Sequence, residues 1–183
     1  MITMTPADNK GNFVRQVPDG DTREREVCAE CGFIRYENPK VVTGSLVVAA
    51  GRILLCRRAI EPRTGFWTLP AGYMELGETA EDAARREARE EAEADIVIER
   101  LFAVYSIPRI AQVQVMFLAR LAGGHVAPGI ESQEVGFFDL AEVPWADLAF
   151  PSVRWALTQY GTLGGRRDFT PFTNPPGERG EAV

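Results

Sequence analysis

The chain has little histidine or cysteine, the residues that most often bind zinc or form disulfides. Its 183 residues include one histidine and three cysteines. A small and odd number of cysteines fits poorly with the disulfide framework of a secreted protein. The N-terminus also lacks the apolar core of a secretory signal. We therefore expect a protein of the reducing cytoplasm.

The chain also has no excess of positive charge and no long apolar run. Its 20 lysines and arginines are outnumbered by 26 aspartates and glutamates, which gives a net charge of -6. Proteins that bind nucleic acids generally carry a basic face. A membrane-spanning helix needs about 20 mostly apolar residues in succession. We therefore expect neither a nucleic-acid partner nor a membrane partner.

Composition along the chain predicts three segments. Residues 1–38 form an N-terminal arm of mixed polarity, and residues 39–162 form the main domain. Residues 163–183 are rich in glycine and proline without periodicity, which indicates an irregular tail.

The main domain alternates strand patterns with one strong helix pattern. Alanine, glutamate and arginine, all good helix formers, dominate residues 80–92, and Thr79 is suited to cap that helix. Ser152 is suited to cap a second helix over 153–160. A tight turn is expected at Gly51-Arg52. Strands are predicted over 41–49, 53–58, a short segment from 66 that runs into a loop, 96–98, 101–107, 113–121 and 134–139.

Three glutamates share one face of the first predicted helix. Glu87, Glu90 and Glu91 lie at offsets of three and four residues, so their side chains are neighbours on a helix. Like charges at those offsets repel one another. A cation that all three surround explains the pattern best, and carboxylate oxygens suit Mg²⁺ or Mn²⁺. The face indicates a metal-dependent enzyme acting on a group that such a metal binds, above all phosphate.

The glutamates belong to a longer pattern that resembles a known family. Gly72 is followed after five residues by Glu78, and after seven more by Arg86-Glu87, two residues and Glu90-Glu91. This resembles the Nudix box of nucleoside-diphosphate-X hydrolases. Further segments are similar to the subfamily with an N-terminal zinc-ribbon-like segment, which includes ADP-ribose and FAD pyrophosphatases. These segments are 38–40, 54–62, 67–72 and 144–151.

The resemblance implies a fold and a set of metal ligands. The fold is an α/β/α Nudix sandwich around a mixed β-sheet, and many ADP-ribose-type members form homodimers. Glu87, Glu90 and Glu91 would hold the metal together with the backbone carbonyl of Ala71. Gly72, Glu78 and Arg86 would support the box structurally.

One position departs from the box. Glu93 stands where the pattern has a glycine that ends the helix in a left-handed conformation. Glutamate there costs about 1 kcal/mol if its φ is positive. We expect altered helix termination without loss of the ligand face.

The resemblance also suggests catalytic and substrate-binding residues. Glu90 and Glu91 belong to the catalytic set, and Glu91 is the base that MutT-like members would use. In many ADP-ribose-type members the base lies on a later loop, where Glu131 and Glu134 are the candidates. Glu134 is preferred, which leaves Glu131 among the substrate-binding residues. Arg57 or Arg58, at the end of a predicted strand, would bind the diphosphate.

Cys28 and Cys31 form half of a zinc site. A structural zinc site needs four ligands, usually from two such pairs. Cys56 lies in a predicted strand, where we expect a buried residue, and His125 follows a Gly-Gly turn, where we expect an exposed one. A degenerate ribbon without zinc is the preferred interpretation. Two chains sharing one zinc ion through two half-sites is the alternative.

The function implied by the resemblance is hydrolysis of the pyrophosphate bond of a nucleoside diphosphate derivative. ADP-ribose or FAD is the expected substrate, with NADH also in range, and Mg²⁺ or Mn²⁺ is the expected cofactor. One alternative is a MutT-like hydrolase that removes unwanted nucleoside triphosphates. Another is a Nudix domain that binds nucleotides as a sensor without catalysis.

Overall fold

The computed structural model describes residues 12–180. The chain divides into two compact units, Met1–Asn38 and Pro39–Val183. Residues 1–11 of the predicted arm and residues 181–183 of the predicted tail lie outside the described part. None of the described helices is long and apolar enough to cross a membrane.

The N-terminal unit is a small antiparallel sheet in which side chains of opposite charge pair. Arg35 lies over the ring of Phe13 at 3.9 Å and donates to Glu26 at 3.1 Å. Arg25 donates to Asp21 at 2.9 Å. These contacts stabilise a unit with few buried apolar side chains. Its strands follow the order β1-β2-β3 and are β1 (Phe13–Gln16), β2 (Arg25–Cys28) and β3 (Ile34–Arg35).

The second unit contains, in its described part, a seven-stranded mixed sheet and two α-helices. The central order is β10-β5-β4-β9-β8, with β6 beside β5 and β7 beside β4. The β4–β9 pair is parallel and the other pairs are antiparallel. The strands are β4 (Lys40–Ala49), β5 (Arg52–Arg58), β6 (Trp67–Thr68), β7 (Ala71–Tyr73), β8 (Ile96–Ile107), β9 (Gln112–Leu121) and β10 (Ser132–Phe138). The helices are α1 (Ala80–Ala92) and α2 (Pro151–Leu163), with short 3₁₀ helices at Pro108–Ile110, Leu140–Glu142 and Trp145–Asp147.

The helices cover opposite faces of this sheet. Along β4, Val47 packs in the cluster that contains Ala88 and Ala92 of α1. Its neighbour Leu46 packs with Trp155 and other residues of α2. Adjacent strand residues point to opposite faces, so the unit is a three-layer α/β/α sandwich. The predicted fold class is confirmed.

The strands β4 and β5 separate after their hairpin and leave room for β6 and β7. They pair only next to the turn, where Val48 is opposite Ile53. Beyond this point, β7 pairs with β4 and places Gly72 opposite Thr43. The sequence predicted a loop rather than a strand at 71–73. Because β4 and β5 separate, β7 can pair with β4 and contact α1.

Several predicted boundaries differ from the structure. The hairpin turn is Ala50-Gly51, both at positive φ, so Arg52 already belongs to β5. The two strands predicted between 96 and 107 are one strand with two register shifts. Ser152 lies buried inside the first turn of α2, where Phe150 is the N-cap and Pro151 begins the helix.

Both ends of α1 follow from local chemistry. The Thr79 side chain accepts a hydrogen bond from the Asp82 amide, as the capping pattern predicts. At the other end Glu93 has φ +48°, its N–H donates to the Arg89 carbonyl, and the Ala94 N–H donates to the Ala88 carbonyl. The helix therefore ends in the left-handed cap that glycine usually forms. The expectation of altered termination is wrong, although the residue does carry the strained φ.

The described residues after α2 form no helix but pack against β8. Phe172 exchanges backbone hydrogen bonds with Phe102 and Val104 on β8. The Phe169 and Phe172 rings also pack against Phe102. This part of the predicted irregular tail is therefore held on the sheet.

Candidate active site

The glutamates of α1 lie where the helix packs closest to the sheet. Ala83, Ala84, Ala88 and Ala92 are fully buried, and their small side chains let α1 approach β4 and β7. Glu87 and Glu91 are also buried, with 7% and 5% exposure, while Glu90 is exposed. Burying two carboxylates under one helix is costly unless a cation or hydrogen bonds compensate.

Gly72 provides the space that Glu87 occupies. A Cβ atom at position 72 would lie 2.4 Å from both carboxylate oxygens of Glu87. Any other residue would therefore displace the carboxylate. The close approach of Glu87 explains sterically why the box has a glycine at position 72. The spacing in the sequence did not reveal this reason.

The backbone of β7 reaches Glu91. The amide N–H of Ala71 donates to Glu91 Oε2 at 3.1 Å. The Ala71 peptide therefore lies beside a predicted metal ligand, while its carbonyl remains a predicted ligand only.

Arg86 ties the box together. Its guanidinium donates to both oxygens of Glu78, from Nε at 3.1 Å and from Nη2 at 2.8 Å. It also donates to Glu87 at 2.7 Å, to Glu90 at 2.8 Å and to the Tyr73 carbonyl at 2.9 Å. Arg86 holds the pKa of the Glu78 carboxyl below its usual range. The Tyr73 carbonyl was not identified from the sequence, because a backbone acceptor leaves no mark in residue identity.

The buried carboxylates have perturbed protonation. Desolvation raises the pKa of Glu91 to about 8, and the Ala71 hydrogen bond opposes that rise only partly. Desolvation also raises the pKa of Glu87 against the influence of Arg86. Removing water from a carboxyl favours its neutral form, and a nearby cation would restore the charged form.

The donor set fits a hard divalent cation. Within residues 12–180 no three His, Cys, Asp or Glu side chains converge tightly enough to hold a metal by themselves. At α1, Arg86 forms ion pairs with both Glu87 and Glu90. Mg²⁺ commonly uses one or two carboxylates together with waters and substrate phosphates. Glu87, Glu90 and Glu91 can supply such a set.

Arg58 and Glu131 act electrostatically on the buried glutamates. The positive charge of Arg58 lowers the pKa of Glu91, and the negative charge of Glu131 raises the pKa of Glu87 and Glu91. Arg58 Nε donates to the Pro62 carbonyl at 2.8 Å. Both side chains are therefore close enough to influence the same site.

Arg57 and Glu134 form an ion pair with each other. They are opposite each other on β5 and β10, and Arg57 Nη1 lies 3.6 Å from Glu134 Oε2. Arg57 Nε also donates to the Gly65 carbonyl at 2.9 Å. The charge of Glu131 thus acts on the α1 glutamates, while Glu134 contacts Arg57 on the neighbouring strand.

A cleft of about 150 Å³ lies near the N-terminus of α2. Phe66, Phe150, Arg63 and Arg154 are among the side chains that line it. Arg58 lies over the Phe150 ring at 5.2 Å. Arg58, whose charge acts on Glu91, therefore contacts a ring that lines the cleft.

The ribbon-like unit presents two thiols. Cys28 is 4% exposed and Cys31 is exposed. Backbone N–H groups of Cys31 and Glu30 donate to the Cys28 sulfur and lower the pKa of its thiol. In the second unit Cys56 is buried, and His125 is exposed and lies 3.2 Å from Glu93. Two thiols do not fit the four-ligand requirement of structural zinc.

Family comparison divides the chain at the same place as its contacts. Residues 38–158 match the NUDIX domain family, and residues 10–37 match the Nudix N-terminal family, a zinc ribbon. A solved structure of a NUDIX hydrolase from Nitrosomonas europaea is 43% identical, with a TM-score of 0.84. That likeness covers 90% of this chain and 94% of the other.

The curated relatives include an ADP-ribose pyrophosphatase and an NAD-capped RNA hydrolase. An ADP-ribose pyrophosphatase of Methanocaldococcus jannaschii is 34% identical over 113 residues, which are 60% of this chain and 67% of that protein. An NAD-capped RNA hydrolase NudC of Vibrio atlanticus is 30% identical over 120 residues, or 64% of this chain. The matched region spans 44% of the NudC protein's length.

Proposed function

Because the chain belongs to the Nudix hydrolase family, we propose that it hydrolyses the diphosphate bond of ADP-ribose with the help of Mg²⁺ or Mn²⁺. The observation that supports this most is the carboxylate face of α1, held over Gly72 and braced by Arg86. Burial of the Glu91 carboxylate without a compensating cation would only weaken the fold. A divalent cation would explain why Glu91 lies on the same helix face as Glu87 and Glu90.

Each side chain of the site has a proposed role. Glu87, Glu90 and Glu91 would hold the cation, with the Ala71 carbonyl as a further ligand. The cation would offset charge on the diphosphate oxygens and make an attacking water more acidic. Arg58 would bind a diphosphate oxygen, since its charge already acts on Glu91.

Glu131 is our proposed general base. Its charge acts on both buried glutamates, which supports a place close to the attacking water. Glu134 already has a partner in Arg57, whose Nη1 lies 3.6 Å from its Oε2. The preference for Glu134 drawn from the sequence is therefore reversed in this proposal.

The names of the relatives guide the choice of substrates. ADP-ribose comes first because the M. jannaschii relative is named for it and because this chain spans two thirds of that protein. NAD-derived substrates come second, supported by the NudC relative and by the N-terminal ribbon match. FAD and nucleoside triphosphates complete the range to be tested.

A substrate panel tests the proposal. Purified protein with Mg²⁺ or Mn²⁺ is given ADP-ribose, NADH, FAD, NAD-capped RNA and deoxynucleoside triphosphates, and products are separated by chromatography. We expect AMP and ribose 5-phosphate from ADP-ribose at the highest kcat/KM. Glu90→Gln should lower kcat at least about 100-fold. Glu81→Gln, an exposed glutamate in the first turn of the same helix, is the matched control.

Three outcomes contradict parts of the proposal. Tight nucleotide binding without turnover of any substrate would favour the sensor alternative. Preferred turnover of triphosphates would favour the MutT-like alternative. If Glu134→Gln lost far more activity than Glu131→Gln, the assignment of the base would be wrong.

A further inference from the structure

Two hydroxyl groups of β4 are buried without a protein partner. Thr43 and Ser45 are both 0% exposed. Within the described residues, neither Thr43 Oγ1 nor Ser45 Oγ has a hydrogen-bond partner. Buried hydroxyls nearly always bond to protein or to an ordered water. Their position on β4 therefore has to be explained.

Both hydroxyls face α1. Thr43 is the antiparallel partner of Gly72, and directly paired residues point to the same face of a sheet. A Cβ on Gly72 would point at the Glu87 carboxylate, so this is the face that α1 covers. Ser45 is two residues along and shares that face. Val47, two residues further, packs with Ala88 and Ala92 of α1.

Along β4 and its partner strand β7, the two hydroxyls occur in the same order as the contacts to the two buried glutamates. Thr43 lies opposite Gly72, whose Cα faces Glu87. Gly44 lies opposite Ala71, whose amide donates to Glu91, and Ser45 is the next residue along β4. Two partnerless hydroxyls and two buried carboxylates therefore share the face of the sheet that α1 covers.

The spacing fits a bridging water. Paired Cβ atoms on neighbouring strands are about 5 Å apart, and the Glu87 carboxylate occupies the space of a Cβ at Gly72. Thr43 is therefore a near neighbour of this carboxylate but forms no hydrogen bond with it. One water between the two groups would satisfy both. A buried water needs two to four polar partners, which a hydroxyl and a carboxylate begin to provide.

We propose that Thr43 and Ser45 hold buried water beneath Glu87 and Glu91 and thereby position these carboxylates for the cation. The two residues touch neither substrate nor metal, so they are positioning residues. Their link to metal binding rests on the proposed function. The presence of the buried water is independent of that function.

A crystal structure of the metal-free protein at high resolution tests the water directly. We expect an ordered water within hydrogen-bond distance of Thr43 Oγ1 and the Glu87 carboxylate, and one near Ser45 Oγ. A dry site, or hydroxyls bonded directly to protein groups, would overturn the proposal.

Mn²⁺ binding tests the positioning role. Free Mn²⁺ is measured by electron paramagnetic resonance in titrations of wild type, Thr43→Val and Thr43→Ser. Removing an outer-shell partner lowers metal affinity about 10- to 100-fold, so we expect at least about 10-fold weaker binding for Thr43→Val. Thr43→Ser, which keeps the hydroxyl, should bind close to wild type.

Two further variants keep the test decisive. Ser45→Ala should also weaken Mn²⁺ binding, and it replaces Thr43→Val if that variant does not fold. Ser152→Ala removes a buried hydroxyl from α2 on the opposite face and should leave Mn²⁺ binding unchanged. Equal Mn²⁺ affinity in wild type, Thr43→Val and Ser45→Ala would overturn the positioning role.

The test separates this proposal from the proposed function. Wild type that binds no Mn²⁺ would refute the cation site and the positioning role together. The crystal structure would still decide whether water lies under Glu87.

Discussion

The carboxylate site of α1 and the Cys-x-x-Cys segment of the N-terminal unit differ in how their charged groups are compensated. Glu87 and Glu91 are buried, and burial raises the pKa of both. In the N-terminal unit, Arg25 pairs with Asp21 and Arg35 with Glu26 near the surface. Burial of the Glu91 carboxylate is costly without a cation, whereas the N-terminal unit pairs these charges within itself. We therefore expect the α1 site, rather than the N-terminal unit, to depend on a metal.

Replacing Glu91 should have the largest effect on activity. Glu91→Gln removes a ligand charge while its amide oxygen can still accept from Ala71. We expect a loss of at least about 100-fold in kcat for ADP-ribose. Activity close to wild type would place the metal elsewhere and remove the contrast between the two regions.

The same variant should stabilise the metal-free protein at high pH. The pKa of Glu91 is about 8 in the folded protein and about 4.3 when unfolded. Between these values the unfolded chain releases a proton that the folded protein retains, so folded stability falls as pH rises from about 4.5 to 8. Glutamine does not titrate. We measure the free energy of unfolding in urea without divalent cations. The value for Glu91→Gln should exceed that of wild type by at least about 1 kcal/mol at pH 8 and by little at pH 4.5.

A methyl group at Gly72 should disturb the site sterically. Gly72→Ala would place Cβ 2.4 Å from the Glu87 carboxylate and force it to move. We expect about 10- to 100-fold weaker activity and a loss of about 1–3 kcal/mol of stability. Gly124→Ala is the control, because a Cβ there meets nothing within 4 Å. Equal kinetics for both variants would contradict the close approach.

A glycine at position 93 should produce a small gain in stability. Glu93 has φ +48°, which is unfavourable for residues with a side chain. Glu93→Gly should raise the free energy of unfolding by about 0.5–1 kcal/mol in thermal or urea unfolding. Glu93→Ala also loses the His125 contact but keeps Cβ, so it should show no gain. A gain for alanine as well would assign the effect to charge.

Zinc should have the smallest effect. We expect the nuclear magnetic resonance signals of the backbone amides in residues 12–38 to be the same with ZnCl₂ and with EDTA. The reason is that Cys28 and Cys31 provide only two of four ligands. Stoichiometric zinc in the purified protein, with shifts at both cysteines, would show that the ribbon binds metal. The two regions would then both depend on a metal.

Sequence patterns predicted those parts of the molecule that local chemistry decides. The bounds of α1 and its Thr79 cap are local in this sense. Ser152 failed as a predicted cap because Pro151 already begins α2 and Phe150 precedes it. The strand β7 was missed because three residues carry no periodicity and depend on pairing with β4.

The sequence by itself determined the family, the helix α1 and the set of glutamates on one face of that helix. Helical spacing and capping are properties of neighbouring residues, so they can be recognised without the fold. Only the tertiary structure decided that Gly72 lies against Glu87, that Thr43 lies opposite Gly72 on the same face, and that the charge of Glu131 acts on Glu87. These contacts join strands and loops distant in sequence, so packing of the sheet against α1 determines them.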